Sequence, residues 1–177
     1  QVLQASRAEK DAGGLQPVNL VSLTTSDPSV IPYTLRGIDE VLQQTGLFLE
    51  GANIALLGRG RLVGGPAALL LSGKSRNATV TILHRKSRNL KNVLKNSDVI
   101  IAAAGSAHLV TPDMVRSGAV VIDVGMSWPE GSLQGDVHPA VVDVASWMTP
   151  PDRSFGVMTR MMLLKTVLDL AEKRIAA

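Results

Sequence analysis

The chain has 177 residues, 45% hydrophobic and 19% charged, which supplies a sizeable core and excludes a largely disordered polymer. Eighteen Lys and Arg against fifteen Asp and Glu leave a net charge of +3, too small an excess for a dedicated nucleic-acid binder. Zero cysteines exclude a disulfide scaffold, a Cys-ligated zinc site, an iron–sulfur cluster and a thiol nucleophile. The aromatic residues Tyr33, Phe48, Trp128, Trp147 and Phe155 are too scattered to stack bases, and His84, His108 and His138 show no metal-ligand spacing. No apolar run approaches the roughly 18 residues of a membrane span. The longest, residues 62–71, is interrupted by Gly64, Gly65 and Pro66. No signal or transit peptide is visible, and the expected compartment is the cytoplasm or the mitochondrial matrix. Because the chain begins at Gln1 rather than Met, an N-terminal portion is expected to be missing from it.

Residues 1–33 lack a sustained period and hold the turn formers Gly13-Gly14, Pro17, Ser26-Asp27-Pro28 and Pro32, so they read as an irregular connector. Thr34 then reads as an N-cap, Ile38, Val41 and Leu42 share one helical face, and Gly46 is a natural stop. Five apolar runs follow, at 53–57, 78–83, 98–104, 119–124 and, more weakly, 146–149. They are continuous rather than alternating, as in strands buried on both faces of a parallel sheet. Helical stretches lie between them at 64–72, 89–96, 111–116 and 139–145, and Thr111-Pro112-Asp113 is a good start signal. A long amphipathic helix runs from Thr159 to Arg174. The alternation predicts an α/β fold, a Rossmann-type doubly wound parallel sheet. The expected organisation is a connector (1–33), the Rossmann-type domain (34–157) and a C-terminal helix (158–177).

Gly58-Arg59-Gly60-Arg61-Leu62-Val63-Gly64 follows the first strand and opens a helix. Glycines at these positions suit a tight turn, close approach of backbone to a pyrophosphate, and close helix–sheet packing. The helix N-terminus favours the anion, and Arg59 and Arg61 add charge. The competing reading is a merely structural glycine turn. After the second strand comes His84-Arg85-Lys86-Ser87-Arg88, basic and without the acid that NAD enzymes place there for the ribose hydroxyl. That favours a 2′-phosphate, hence NADP, over a solvated basic loop. Asp123 and Asp136 read as residues of strand-end turns, with an acid–base pair as the alternative. His108 and His138 read as surface or turn residues, Met158, Met161 and Met162 as adaptable packing, and Lys91 and Lys95 as a solvated helix face.

Together these segments resemble the bifunctional methylenetetrahydrofolate dehydrogenase/cyclohydrolase family, in its second half only. The resemblance rests on Gly58-Arg59-Gly60-x-x-Val63-Gly64-x-Pro66, Ala78-Thr79-Val80-Thr81 with His84, Val121-Ile122-Asp123-Val124-Gly125 and Gly135-Asp136-Val137. Lys10-Asp11-Ala12-Gly13-Gly14-Leu15-Gln16-Pro17-x-Asn19, Ile31-Pro32-Tyr33-Thr34 and Met158-Thr159 extend it along the chain. It implies NADP on the glycine loop and a tetrahydrofolate derivative in a cleft between two domains. Hydride passes from the methylene carbon to the nicotinamide, and a lysine of the first domain assists water attack on the methenyl product. Implied cofactor contacts are Gly58, Arg59, Gly60, Arg61, Val63 and Gly64 on the loop. His84, Arg85 and Ser87 follow after the second strand, and Gly105, Met126 and Thr159 come later in the chain. No catalytic or metal-binding residue is assigned, and a homo-oligomer or a subunit of a larger complex is expected.

The family pattern breaks on the folate side. Its Tyr-x-x-x-Lys motif is absent, since the single tyrosine, Tyr33, is followed four residues later by Gly37. An acid that would bind the pterin ring is Gly13, an adjacent His is Gln16, and Pro-Cys-Thr-Pro reads Pro32-Tyr33-Thr34-Leu35. Pro-Gly-Gly-Val-Gly-Pro reads Asp152-Arg153-Ser154-Phe155-Gly156-Val157, which adds side chains where the family has bare backbone. Two expectations follow: the NADP half of a folate enzyme, inactive by itself, or a catalytically degenerate relative serving as a structural or interaction subunit.

Overall fold

In the computed structural model, which describes residues 7–25 and 27–175, five parallel strands form one sheet in the order β2-β1-β3-β4-β5. They are β1 (Asn53–Leu57), β2 (Thr79–Leu83), β3 (Val99–Ala102), β4 (Val120–Asp123) and β5 (Trp147–Met148). The chain order reverses between β1 and β3, so this is a doubly wound sheet with its switch point there.

Successive strand residues feed opposite faces. Ile54, Leu56, Val99, Ile101, Val120 and Ile122 pack against α2 (Tyr33–Gln44), α3 (Gly64–Ser72) and Phe155. Ala55, Leu57, Ile100, Ala102, Val121 and Met148 pack on the other side with Leu94 of α4 (Leu90–Lys95) and with Val110, Val137 and Val141. Strands with apolar residues on both faces produce the continuous runs that the sequence shows. β2 departs from this. It is an edge strand, and Thr79, Thr81 and Ile82 are exposed rather than buried on both faces.

Several expectations require correction. The connector is not irregular throughout: a 3₁₀ turn spans Ala8–Lys10, and α1 covers Pro17–Ser22 with proline at its first turn. A polar hub organises it in place of an apolar stripe. The buried Asp11 carboxylate accepts from Gln16 N–H (2.8 Å) and from Asn19 Nδ2 (3.0 Å). Residues 1–6, Ser26 and 176–177 lie outside the described residues. Thr34 is not a cap, because Pro32, with φ −50°, ends the extended approach and α2 starts at Tyr33. The stretches at 111–116 and 139–145 are 3₁₀ turns, Pro112–Met114 and Pro139–Asp143. Each begins on proline but has too few residues before the next strand to complete α-helical turns. The last helix, α5 (Gly156–Ile175), starts three residues before Thr159, where Ser154 Oγ accepts from Gly156 N–H at 3.0 Å.

Candidate functional site

The carboxyl ends of β1, β2 and β3 frame a cleft of about 880 Å³ at the switch point. Such crevices are where open α/β sheets bind their ligands. One wall is the glycine loop. Gly58 has φ +107°, and a Cβ there would sit 2.2 Å from Ala103 O. A Cβ on Gly64 would sit 2.2 Å from Gly58 O, so Gly58 lets the loop pack against the end of β3 and Gly64 lets it fold back on itself. Gly60 is different: apart from its chain neighbours, no described residue has an atom within 4 Å of its Cβ position.

The second wall is the turn after β2. Ser87 N–H donates to His84 O (2.7 Å), His84 N–H to Ser87 Oγ (3.0 Å), and Lys86 N–H to His84 Nδ1 (3.2 Å). These bonds shape the turn, and the Arg85, Lys86 and Arg88 side chains are exposed. The third wall is the backbone of Ala103, Ala104, Gly105 and Ser106. Arg59, Arg85 and Lys86 line the cleft, and among the described residues no carboxylate side chain does.

The expected contact residues therefore divide. Gly58, Arg59, Gly60, His84, Arg85, Ser87 and Gly105 meet in this cleft. Val63, Met126 and Thr159 line a second one, of about 320 Å³, together with Gly13, Tyr33 and Phe155. Arg61 is exposed and lines neither, and Gly64 is buried in the turn. Thr159 Oγ1 is spent on Phe155 O (3.2 Å). Met126 also borders a third hollow, about 380 Å³, with Asp123, Thr149, Arg153 and Ser154. Ser154 Oγ donates to Met126 Sδ at 3.1 Å, whereas Phe155 turns into the core.

Asp123 and Asp136 are buried and bond to backbone. Asp123 accepts from Gly125 N–H (3.0 Å), Asp136 N–H (3.1 Å) and Val137 N–H (2.9 Å). Burial pushes its carboxyl up to about 6, the nearby Asp136 charge adds to this, and the three N–H bonds oppose it. His108 and His138 stand edge to face, 5.1 Å between centroids, with His138 Nδ1 accepting from Ala140 N–H. Of the three methionines expected to pack, Met158 does so against Gly37, while Met161 projects to solvent from the outer face of α5. Lys91 is exposed but pairs with Asp113, and this bond holds that carboxyl down at about 2. Among the described residues no group of three His, Asp or Glu could hold a metal, and no helix is long and apolar enough to cross a membrane.

Residues 32–175 match the sequence profile of the tetrahydrofolate dehydrogenase/cyclohydrolase NAD(P)-binding domain. The chain belongs to this family. Among solved members, the methylenetetrahydrofolate dehydrogenase-cyclohydrolase of Trypanosoma brucei, complexed with NADP and an inhibitor, is 33% identical with a TM-score of 0.91. The alignment covers 99% of this chain and 62% of that one. The bifunctional enzyme of Campylobacter jejuni is 34% identical over 98% of this chain and 62% of its own, TM-score 0.91. A 5,10-methylenetetrahydrofolate dehydrogenase of the silkworm Bombyx mori is 32% identical over 99% and 64%, TM-score 0.92. The chain thus spans less than two thirds of the family members it matches.

Proposed function

We propose that the switch-point cleft binds NADP(H) and that the chain is the cofactor half of a methylenetetrahydrofolate dehydrogenase/cyclohydrolase. The observation that carries this is the charge of the cleft, with Arg59, Arg85 and Lys86 on its walls and no carboxylate. The dinucleotide pyrophosphate would lie on the Gly60 backbone at the N-terminus of α3, and the 2′-phosphate beside Arg85 and Lys86. When bound, the nicotinamide supplies the hydride acceptor. The protein supplies orientation and charge, and Val63, Met126 and Thr159 of the neighbouring cleft would border the reacting end.

A second reading keeps cofactor binding and drops catalysis, leaving a structural or interaction subunit. It is favoured by Arg153 and Ser154, which border the same hollow as Met126.

Titration with NADPH and NADH tests the common part of both readings. NADPH is expected to bind at least about tenfold more tightly, since a charge-assisted bond is worth roughly 1.5–3 kcal/mol. Arg85→Ala should erase most of the difference. Equal affinity for the two, or none for either, overturns the assignment.

A further inference from the structure

Asp136 has no exposed surface and lines none of the three hollows described above. Its carboxylate lies against the back of the segment whose front forms the third wall of the cofactor cleft. Oδ2 accepts from Ala104 N–H (2.5 Å) and Gly105 N–H (2.9 Å), and Oδ1 from Ser106 N–H (2.7 Å). Gly105 sits at φ +68°, a conformation that turns successive N–H groups towards one anion. Residues 104–106 are themselves exposed, so their three N–H groups meet this carboxylate at the protein surface, beside a single turn bond from Leu109 N–H to Ser106 O (3.3 Å).

Asp136 is fixed in its turn. Asp123 Oδ1 and Oδ2 accept from the N–H groups of Asp136 and Val137, and Asp123 N–H donates to Thr149 Oγ1 at 3.0 Å. Bonds thus run from the end of β5 through β4 to the loop after β3. The glycines between leave no slack: a Cβ on Gly125 would sit 2.0 Å from Asp136 Cγ, and one on Gly135 2.1 Å from Asp123 Oδ2.

We propose that Asp136 is a positioning residue of the cofactor site, holding the 104–106 backbone in the shape that lines the cleft, with Asp123 holding Asp136. The inference rests on the cofactor reading of that cleft. A neutral side chain cannot replace it. The Asn amide turns an NH₂ towards backbone N–H groups and leaves at least one of the three without an acceptor.

The test uses NADPH and NADH titrations of the chain, of Asp136→Asn and of Gly125→Ala. Gly125 does not line the cofactor cleft, but its added methyl displaces the Asp136 carboxylate from the far side. Both variants should bind both nucleotides roughly tenfold or more weakly, because a backbone wall serves either cofactor. Arg85→Ala should discriminate between them. Amide hydrogen exchange supplies the readout that does not need a nucleotide. In the unsubstituted chain, Ala104, Gly105 and Ser106 should be protected despite their exposure, and Asp136→Asn should remove that protection while β1 and β3 keep theirs. Unprotected amides in the unsubstituted chain, or folded variants that bind as it does, would overturn the role of Asp136 and leave the cofactor reading standing. If the unsubstituted chain binds neither nucleotide, both fall.

Discussion

Gly58, Gly60 and Gly64 look equivalent in the motif, yet they answer to different forces. Gly58 and Gly64 face their own backbone at 2.2 Å, whereas Gly60 faces open space. Gly64→Ala should therefore cost about 1–3 kcal/mol of unfolding free energy, because a methyl forced against a fixed carbonyl is overpacking. Gly60→Val should leave the urea midpoint nearly unchanged and abolish NADPH binding. Normal binding by Gly60→Val would make the loop structural and remove the pyrophosphate from it. The motif was legible in the residues, but this division was not. The atoms that exclude a Cβ at 58 belong to Ala103, just past the end of β3 and far along the chain. His84 and Ser87 show the same limit. They read as contact residues and line the cleft, but the bonds that shape their turn, between each other's backbone and the Ser87 hydroxyl, leave no pattern in the sequence.

At the scale of elements, helices and strands with a clear apolar run were readable, and those held by polar contacts were not. β1 and α3 fall where their runs lie, at Asn53–Leu57 and Gly64–Ser72. α1 depends on Asp11 and Asn19, which carry no period. α2 and α5 are joined by a contact that periodicity also hides. Arg36 Nη1 donates to Thr166 Oγ1 (2.9 Å) and pairs with Asp169 (2.7 Å), while Gly37 lets Met158 and Phe155 approach. Arg36→Ala should lower unfolding free energy by about 1–2 kcal/mol, through the bonds lost to Thr166 and Asp169, while the Thr166 hydroxyl keeps its bond to Met162 O (2.8 Å). The Asp169 carboxyl is held below the usual carboxylate range by that guanidinium. Its share of stability is present above the ordinary pKa and lost as pH falls through the lowered one. The difference between Arg36→Ala and the unsubstituted chain, followed by denaturant titration, should thus shrink in acid. A difference that is constant with pH would assign the contact to packing alone.

For the whole molecule, the α/β alternation was enough to imply a parallel sheet, but only the folded order places β1 between β2 and β3 and so locates the cleft. The same order shows what residues 1–177 contain by themselves. Gly13, Tyr33, Met126, Phe155 and Thr159 meet in one hollow, and no lysine lines it. The seven lysines, 10, 74, 86, 91, 95, 165 and 173, lie elsewhere, and of these Lys86 alone borders the switch-point cleft. Proton transfer by a positioned group contributes roughly 10²–10⁴-fold. Without one, cyclohydrolase turnover by these residues assayed alone should stay near background. Dehydrogenase turnover should fail for a separate reason. Gly13 presents no side-chain acceptor to a pterin ring, and the nearby Asp11 carboxylate is buried, with Oδ2 holding Gln16 and Asn19. A folate would not be held at near-attack distance, and lost orientation costs more rate than lost affinity. The assay is NADPH formation from methylenetetrahydrofolate, followed by loss of methenyl absorbance, in samples already shown to bind NADPH. Binding without turnover is the expected result. Turnover comparable to an ordinary family member would show that a group within residues 1–177 performs the work assigned to the family's lysine, and the non-catalytic reading would then be discarded.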